Sequence, residues 1–280
     1  MSALVTRARG LQAHLLDEPE LDPKLSPEAV ERELRRRLAT DFKILARWAS
    51  RDQLAVLELD EDRHSLRAIV RGLAAGVPSE RRRIAAVATS RLTERVLDEL
   101  AAATSIDAIA RELAAIDHPL HDAFETDTTS IDVFAIELAL AKSYARAARA
   151  HAHDRALATY LAQVIDAENA TSARLLVARG GNIVPAEHFI PGGERLSLAA
   201  FTAITRDNIR DVLAEAFADT PLARNVDEDT VLAWQLATQR KLRRSDPLGL
   251  AAVVYAVLSR RFEIRRLRRA AWRSALGGTR

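Results

Sequence analysis

A chain of 280 residues with 48% hydrophobic and only 5% aromatic residues can build a packed core but has little strand-forming material, and its Ala, Leu, Arg and Glu are helix formers. Cysteine is absent, which excludes a disulfide framework and any thiolate metal site and fits a reducing compartment. The net charge of +2 is unevenly spread: residues 240–280 carry 12 Lys or Arg against 2 acidic residues, a net +10, so the preceding residues carry a net −8.

Residues 1–16 place Arg7, Arg9 and His14 among apolar positions, which predicts an amphipathic helix and not a signal peptide. No apolar run approaches the roughly 18 residues a membrane span requires, so the expectation is a soluble or peripheral protein. Acidic residues and Pro19 end that helix, and 21–24 read as a connection. Ser26-Pro27 is an N-cap followed by proline at the first helical position, and Val30, Leu34, Leu38, Phe42, Leu45 and Trp48 follow at helical spacing.

A helix is predicted over 62–75 and stopped by Gly76-Val-Pro78, with shorter helices over 79–87, 93–100 and 106–113. Asp117-His-Pro119 marks a boundary. One long helix is predicted from Ser130 through Tyr160, then a helix opened by Asp166 and ended by Gly180-Gly181. Phe189-Ile-Pro-Gly-Gly193 is a loop, followed by helices over 196–204 and 209–217. After a second boundary at Asp219-Thr-Pro221, a helix over 228–240 leads into Asp246-Pro247 and a last apolar face from Leu250 to Ile264, with a tail from Gly277 expected to fray.

One unit recurs along this order. An Asp is followed three residues later by a small or amide residue and an apolar helix: Asp62 with Ser65, Asp166 with Asn169, and Asp246-Pro247 with Gly249. The first two copies stay in register at an offset of 104, which sets Leu92 on Leu196, Leu97 on Phe201, Leu100 on Ile204 and Leu113 on Phe217. Each Asp reads as an N-cap, and each small residue as a point of close helix approach. The boundaries divide the chain into 1–116, 117–220 and a shortened basic 221–280.

Catalytic signatures are missing. There is no glycine-rich phosphate loop, no nucleophile elbow and no cysteine nucleophile. Glu61-x-x-His64 is half of a di-iron carboxylate signature without its second half, so no metal or cofactor is expected. His118, His121, His151 and His153 read as surface histidines. The basic end, with Arg265, Arg266, Arg268 and Arg269 crowded together, is either a docking surface for anionic partners or a solvated helix face. Nucleic acid is not the expected partner, since residues 1–239 are acidic and the basic end has few aromatics.

Several segments resemble the C subunit of V/A-type ATPases, the counterpart of the eukaryotic V-type d subunit. They are Arg7-Ala-Arg-Gly-Leu-Gln-Ala-His-Leu-Leu16, Asp62-Arg-His-Ser-Leu-Arg-Ala-Ile-Val-Arg-Gly72, Tyr160-Leu-Ala-Gln-Val-Ile-Asp166-Ala-Glu-Asn169, Phe189-Ile-Pro191-Gly192-Gly193 and Arg243-Arg-Ser-Asp-Pro-Leu-Gly249 running on to Arg268. Ser65, Ala170, Arg261 and Arg266 depart from the family's usual residues. The resemblance implies an all-α fold of three pseudo-threefold-related bundles forming a funnel. It implies a non-catalytic rotor subunit, peripheral on the cytoplasmic face of the membrane, that joins the central stalk to the membrane rotor ring during proton or sodium transport. Its partners would be the stalk subunits and the ring, with anionic lipid headgroups as a further one; the net +10 of the basic end makes Arg265, Arg266, Arg268 and Arg269 the candidate docking residues for the ring loops, the headgroups or an acidic stalk surface. The other reading is a stand-alone helical-repeat scaffold that binds an unrelated partner.

Overall fold

A computed structural model describes residues 1–15, 25–125, 132–180 and 185–277. Leu16, the acidic stretch 17–20, the connection 21–24, Ser130, Ile131, Gly181 and the final 278–280 lie outside the described residues.

Among the described residues the regular structure is helical, with no strand. The local start signals act where the sequence writes them. The Ser26 hydroxyl accepts the Ala29 N–H at 3.2 Å and opens α2, Pro27–Ala46. Thr93 and Ser105 cap α5, Glu94–Ala102, and α6, Ile106–Ala115, in the same way. Helix α6 ends with Asp117 in the left-handed region at φ 49°, where the His118 N–H reaches back to the Leu113 carbonyl and satisfies a terminal acceptor. The first helix, α1, covers Ser2–Gln12, and α4 is the short Ser79–Ile84.

Two helices differ from expectation. Helix α3 runs from Arg51 to Ala74, so Asp62 lies in its interior and is not its cap. The long helix expected through 130–160 is two helices, α7, Val133–Arg149, and α8, Arg155–Ala178. The break has a local cause: Asp154 accepts the Ala156 N–H at 2.7 Å and starts α8 afresh. Asp166 is consequently interior to α8 as well. The remaining helices are α9, Leu198–Thr202; α10, Ile209–Ala216; α11, Glu228–Ser245; and α12, Ala251–Gly277.

The long helices form three consecutive hairpins, α2 with α3, α7 with α8 and α11 with α12. They touch in a closed circuit: α3 packs on α7, α8 on α11, and α12 returns to α2. Helix α1 lies across α12 and α2, burying Leu4, Val5 and Ala8. One large core collects Leu34, Leu38 and Phe42 of α2, Leu57 and Leu66 of α3, Tyr144, Tyr160, Val254 and Leu258. A smaller one gathers Ala170, Ala173, Phe201, Phe217, Leu222 and Trp234. Phe217 and Trp234 meet edge to face with centroids 6.0 Å apart. All eight apolar residues paired by the 104-residue offset are buried, the first four in the large core and the second four in the small one. Trp48, expected on the apolar face of α2, falls beyond its end and is exposed, covered on one side by the Arg7 guanidinium at 5.2 Å.

Candidate functional site

A crevice of about 380 Å3 opens between the hairpins, and all six long helices contribute to its wall, from Arg35 of α2 to Arg261 of α12. Its most buried part is built on the charged stripe of α3. Asp60, Arg63, His64, Arg67 and Arg71 recur at three- and four-residue spacing, so they share one face of that helix. Arg63 is 2% exposed; its Nε and Nη2 donate to Asp60 Oδ1 at 3.1 and 2.7 Å, and its Nη1 donates to Glu168 of α8. Arg67 grips the same Glu168 with both Nη atoms at 2.7 Å. Arg71 forks onto Glu137 of α7. The stripe thereby cross-links three helices of two hairpins.

The third hairpin is tied in by Arg261. Its Nη1 donates to Asp60 Oδ2 and to the Tyr160 hydroxyl, each at 2.7 Å, and its Nε to Glu61 Oε2 at 2.9 Å. Tyr160 in turn donates to Asp60. Nearby, Arg260 donates to Asp41 of α2 at 2.7 Å and to Glu263. Asp60 thus holds donors from α3, α8 and α12 at once.

These contacts decide the protonation states. Burial would raise the Asp60 carboxyl, but the Arg63 charge, followed by His64 and Arg261, outweighs it and holds Asp60 well below the ordinary carboxylate value. Glu168 follows the same pattern: burial opposes, while Arg67 and Arg63 prevail and pull it down. His64, at the crevice wall, goes the other way. Burial lowers it to about 4, with Arg63 and Arg261 adding to that effect against the pull of Asp60. Its Nδ1 lies 2.7 Å from the Asp60 carbonyl, so Nδ1 carries the proton and donates, leaving Nε2 as an acceptor.

The repeated Asp positions do different work from the expected caps. Asp62 is fully buried and accepts the Thr89 hydroxyl at 2.6 Å and His118 Nε2 at 3.2 Å. Thr89 passes the interaction on, accepting the Leu92 N–H at 3.1 Å, while Ser65 accepts the Val87 N–H at 3.0 Å. In the second copy Asp166 accepts the N–H groups of Glu194, Arg195 and Leu196 directly, at 2.9 to 3.2 Å. Asn169 closes a two-way clamp with Ile190, donating to its carbonyl and accepting its N–H at 2.8 Å. Both carboxylates therefore cap a loop that arrives about 25 to 30 residues later, from the interior of a helix. His118, read as a surface residue, is the buried partner of the first of them; its Nδ1 accepts the Leu120 N–H, so Nε2 is the donor to Asp62.

The loop glycines fit this clamp. A Cβ on Gly193 would collide with the Asp166 carboxylate, and one on Gly192, at φ 108°, would collide with Arg149, which donates to the Pro191 carbonyl. Asp246 departs from the other two. It closes α11 and accepts the Leu248 N–H at 3.3 Å in the turn before α12, so it caps a turn and not that helix. Gly249 has no room for a Cβ beside it, and the Pro247 carbonyl takes Arg9 Nη2 at 2.8 Å.

Arg265, Arg268 and Arg269 of the crowded arginines of α12 meet acids within the chain. Arg265 and Arg269 both pair with Asp229, Arg265 also with Glu228, and Arg268 lies 3.3 Å from Glu31. Arg266 is half-buried on the same helix. Asp60, Arg63, Glu168 and Tyr160 carry no motif of their own; the charged three-and-four spacing along α3 could have found Asp60 and Arg63, whereas Tyr160 and Glu168 of α8 have no such local signal.

Among the described residues no helix is long and apolar enough to cross a membrane, and no three His, Asp or Glu side chains converge as metal ligands would. Glu61 and His64, the half-signature for iron, are engaged with Arg261 and the Asp60 carbonyl. The fold and the crevice define an all-helical protein whose buried charge is organised as cross-bracing between helices. The chain belongs to the family described as ATP synthase (C/AC39) subunit, whose family model matches residues 10–277. It is 28% identical over 250 residues to the C subunit of the V-type ATP synthase of Thermus thermophilus, covering 86% of this chain and 76% of that one. It is 24% identical over 290 residues to the C subunit of the A-type ATP synthase of Haloquadratum walsbyi, with 91% and 83% covered. With the corresponding Halobacterium salinarum protein the identity is 26% over 267 residues, with 86% and 76% covered.

Proposed function

We propose that this protein is the non-catalytic rotor socket of a V/A-type ATP synthase. It sits peripherally at the cytoplasmic face of the membrane rotor ring, receives the end of the central stalk in its crevice, and turns with both. Torque then passes between ATP chemistry in other subunits and proton or sodium movement in the membrane. The three hairpins are the staves of a funnel around a pseudo-threefold axis, each belonging to one of the units 1–116, 117–220 and 221–280.

The observation that carries this reading is that all three hairpins wall one crevice and are cross-braced there by buried ion pairs. A torque-bearing socket must resist shear between its helices. In this reading the buried, hydrogen-bonded charge pairs add to the apolar packing by fixing the register of the helices. The crevice wall also keeps Leu175 44% exposed, an apolar contact open to a partner. Docking to the ring or to anionic headgroups through Arg265, Arg266, Arg268 and Arg269 would have to compete with the internal partners of Arg265, Arg268 and Arg269. In this reading those arginines chiefly shape the crevice and contribute to docking by exchanging partners.

The test is co-purification from native membranes. Wild-type protein should recover stalk and ring subunits, and Leu175→Arg should lose the stalk while keeping its helical circular dichroism. Full recovery of the stalk by that variant, or a wild-type pull-down without any other part of an ATP synthase, overturns the proposal.

A further inference from the structure

A second cavity of about 460 Å3 lies between the end of α8, helix α10 and the 3-10 turn Pro221–Ala223, and no charge of the crevice network reaches it. Among the described residues its charged lining is four arginines, Arg174, Arg206, Arg210 and Arg224, with no Asp or Glu. Its floor is apolar, made largely by Ile209, Leu213 and Leu222, the last of which is 1% exposed.

The state of these arginines sets the cavity apart. Arg174 Nη1 is fixed by the Val226 carbonyl at 3.0 Å. Arg206, Arg210 and Arg224 make no side-chain hydrogen bond or ion pair with any described residue. Elsewhere in the chain the arginines that line a cavity meet carboxylates, as Arg63, Arg67, Arg71 and Arg261 do. Four guanidinium groups around one hollow repel each other, and an anion placed between them converts that repulsion into attraction. The planar fork of each guanidinium matches two oxygens of a phosphate. Two or three linked phosphates carry more charge and spread their oxygens more widely than a single phosphate, which suits several guanidinium groups set around one hollow. The apolar floor leaves a place for an organic moiety beyond the phosphates.

We propose that this cavity is a binding site for an oligophosphate anion, either inorganic pyrophosphate or the polyphosphate tail of a nucleotide. The inference is independent of the socket reading, since it concerns a different cavity and is tested on the isolated chain. Phosphate oxygens would be held by Arg206, Arg210 and Arg224, with Arg174 positioned behind them by Val226. Any nucleoside would rest on Ile209 and Leu213.

The experiment is isothermal titration calorimetry of the full chain with sodium pyrophosphate, and separately with ATP free of divalent cations, at matched ionic strength. The comparison variant is Arg206→Gln with Arg210→Gln; both side chains are exposed and hold nothing in the fold, and circular dichroism verifies that it stays folded. Saturable binding that weakens at least about tenfold in the double variant is expected, because each lost charge-assisted hydrogen bond is worth on the order of a tenfold change or more. Equal affinity for the two ligands assigns recognition to the phosphates alone, and tighter ATP adds the apolar floor; both outcomes support the site. Absence of binding to either ligand, binding unchanged in the double variant, or binding of a poly-glutamate peptide in preference to both phosphates overturns it.

Discussion

The Thr89 hydroxyl stands 2.6 Å from the Asp62 carboxylate at the position that Gly193 occupies, 104 residues later, against Asp166. The two repeats thus solve one problem in two ways. In the first, a hydroxyl relays the buried carboxylate to the loop N–H groups; in the second, the missing side chain lets the carboxylate reach them directly. Replacing Thr89 by Val keeps the shape and removes the relay, leaving Asp62 short of a donor in a fully buried place. A loss of about 1–3 kcal/mol is expected in urea denaturation, with Thr89→Ser close to wild type. Equal stability of the Val and Ser variants would contradict the relay.

The second repeat makes the reciprocal demand on Gly193. Gly193→Ala brings a Cβ into the Asp166 carboxylate and should destabilise by roughly 1–3 kcal/mol. Gly10→Ala is the control: it lies within α1 with open space around it and should stabilise by about 0.5–1 kcal/mol. Thermal denaturation of the two variants should therefore shift in opposite directions.

Arg63 separates buried from surface pairing. Arg63→Met leaves Asp60 and Glu168 without their shared cation in a site where Arg63 was 2% exposed, and a loss of about 3–5 kcal/mol is expected. Arg95→Ala, which removes an exposed pair with Glu99, should change stability by less than about 1 kcal/mol. Guanidinium chloride midpoints for both variants check the contrast; similar shifts would mean that the Arg63 network does not brace the helices.

His64 gives the pH dependence. Its folded value of about 4 lies below the ordinary 6.5, so the unfolded chain takes up the proton first and folding weakens as pH falls between those two values. Above 6.5 both states are neutral and the effect is absent; below about 4 both are charged and it grows no further. Asp60, Glu61, Arg63 and Arg261 surround the ring and remain in His64→Gln, so the difference between wild type and variant isolates the imidazole. Plots of urea midpoint against pH should diverge from near-neutral pH down to about 4, with the variant less sensitive. Parallel plots would remove His64 from the linkage.

A cap that acts over three residues was legible at Ser26; Thr93 and Ser105 cap their helices in the same local way, although the sequence reading gave those helices without their caps. Asp62 and Asp166 were misread because an Asp ahead of an apolar helical stretch looks alike whether it caps its own helix or a loop that arrives later. The arginines of α12 were legible as charge but not as partners, since Glu228, Asp229 and Glu31 lie far from them along the chain.

By itself the sequence determined the helical class, the 104-residue register and the family resemblance, because propensity, capping and apolar periodicity operate within a few turns of a helix. Only the tertiary structure decided that Asp60, Arg63, Tyr160, Glu168 and Arg261 meet in one crevice, and that Arg206, Arg210 and Arg224 share a hollow lined by no acid among the described residues. Those outcomes depend on which charges are desolvated together by packing, and residues up to about 200 positions apart along the chain enter that balance only once the helices have closed on one another.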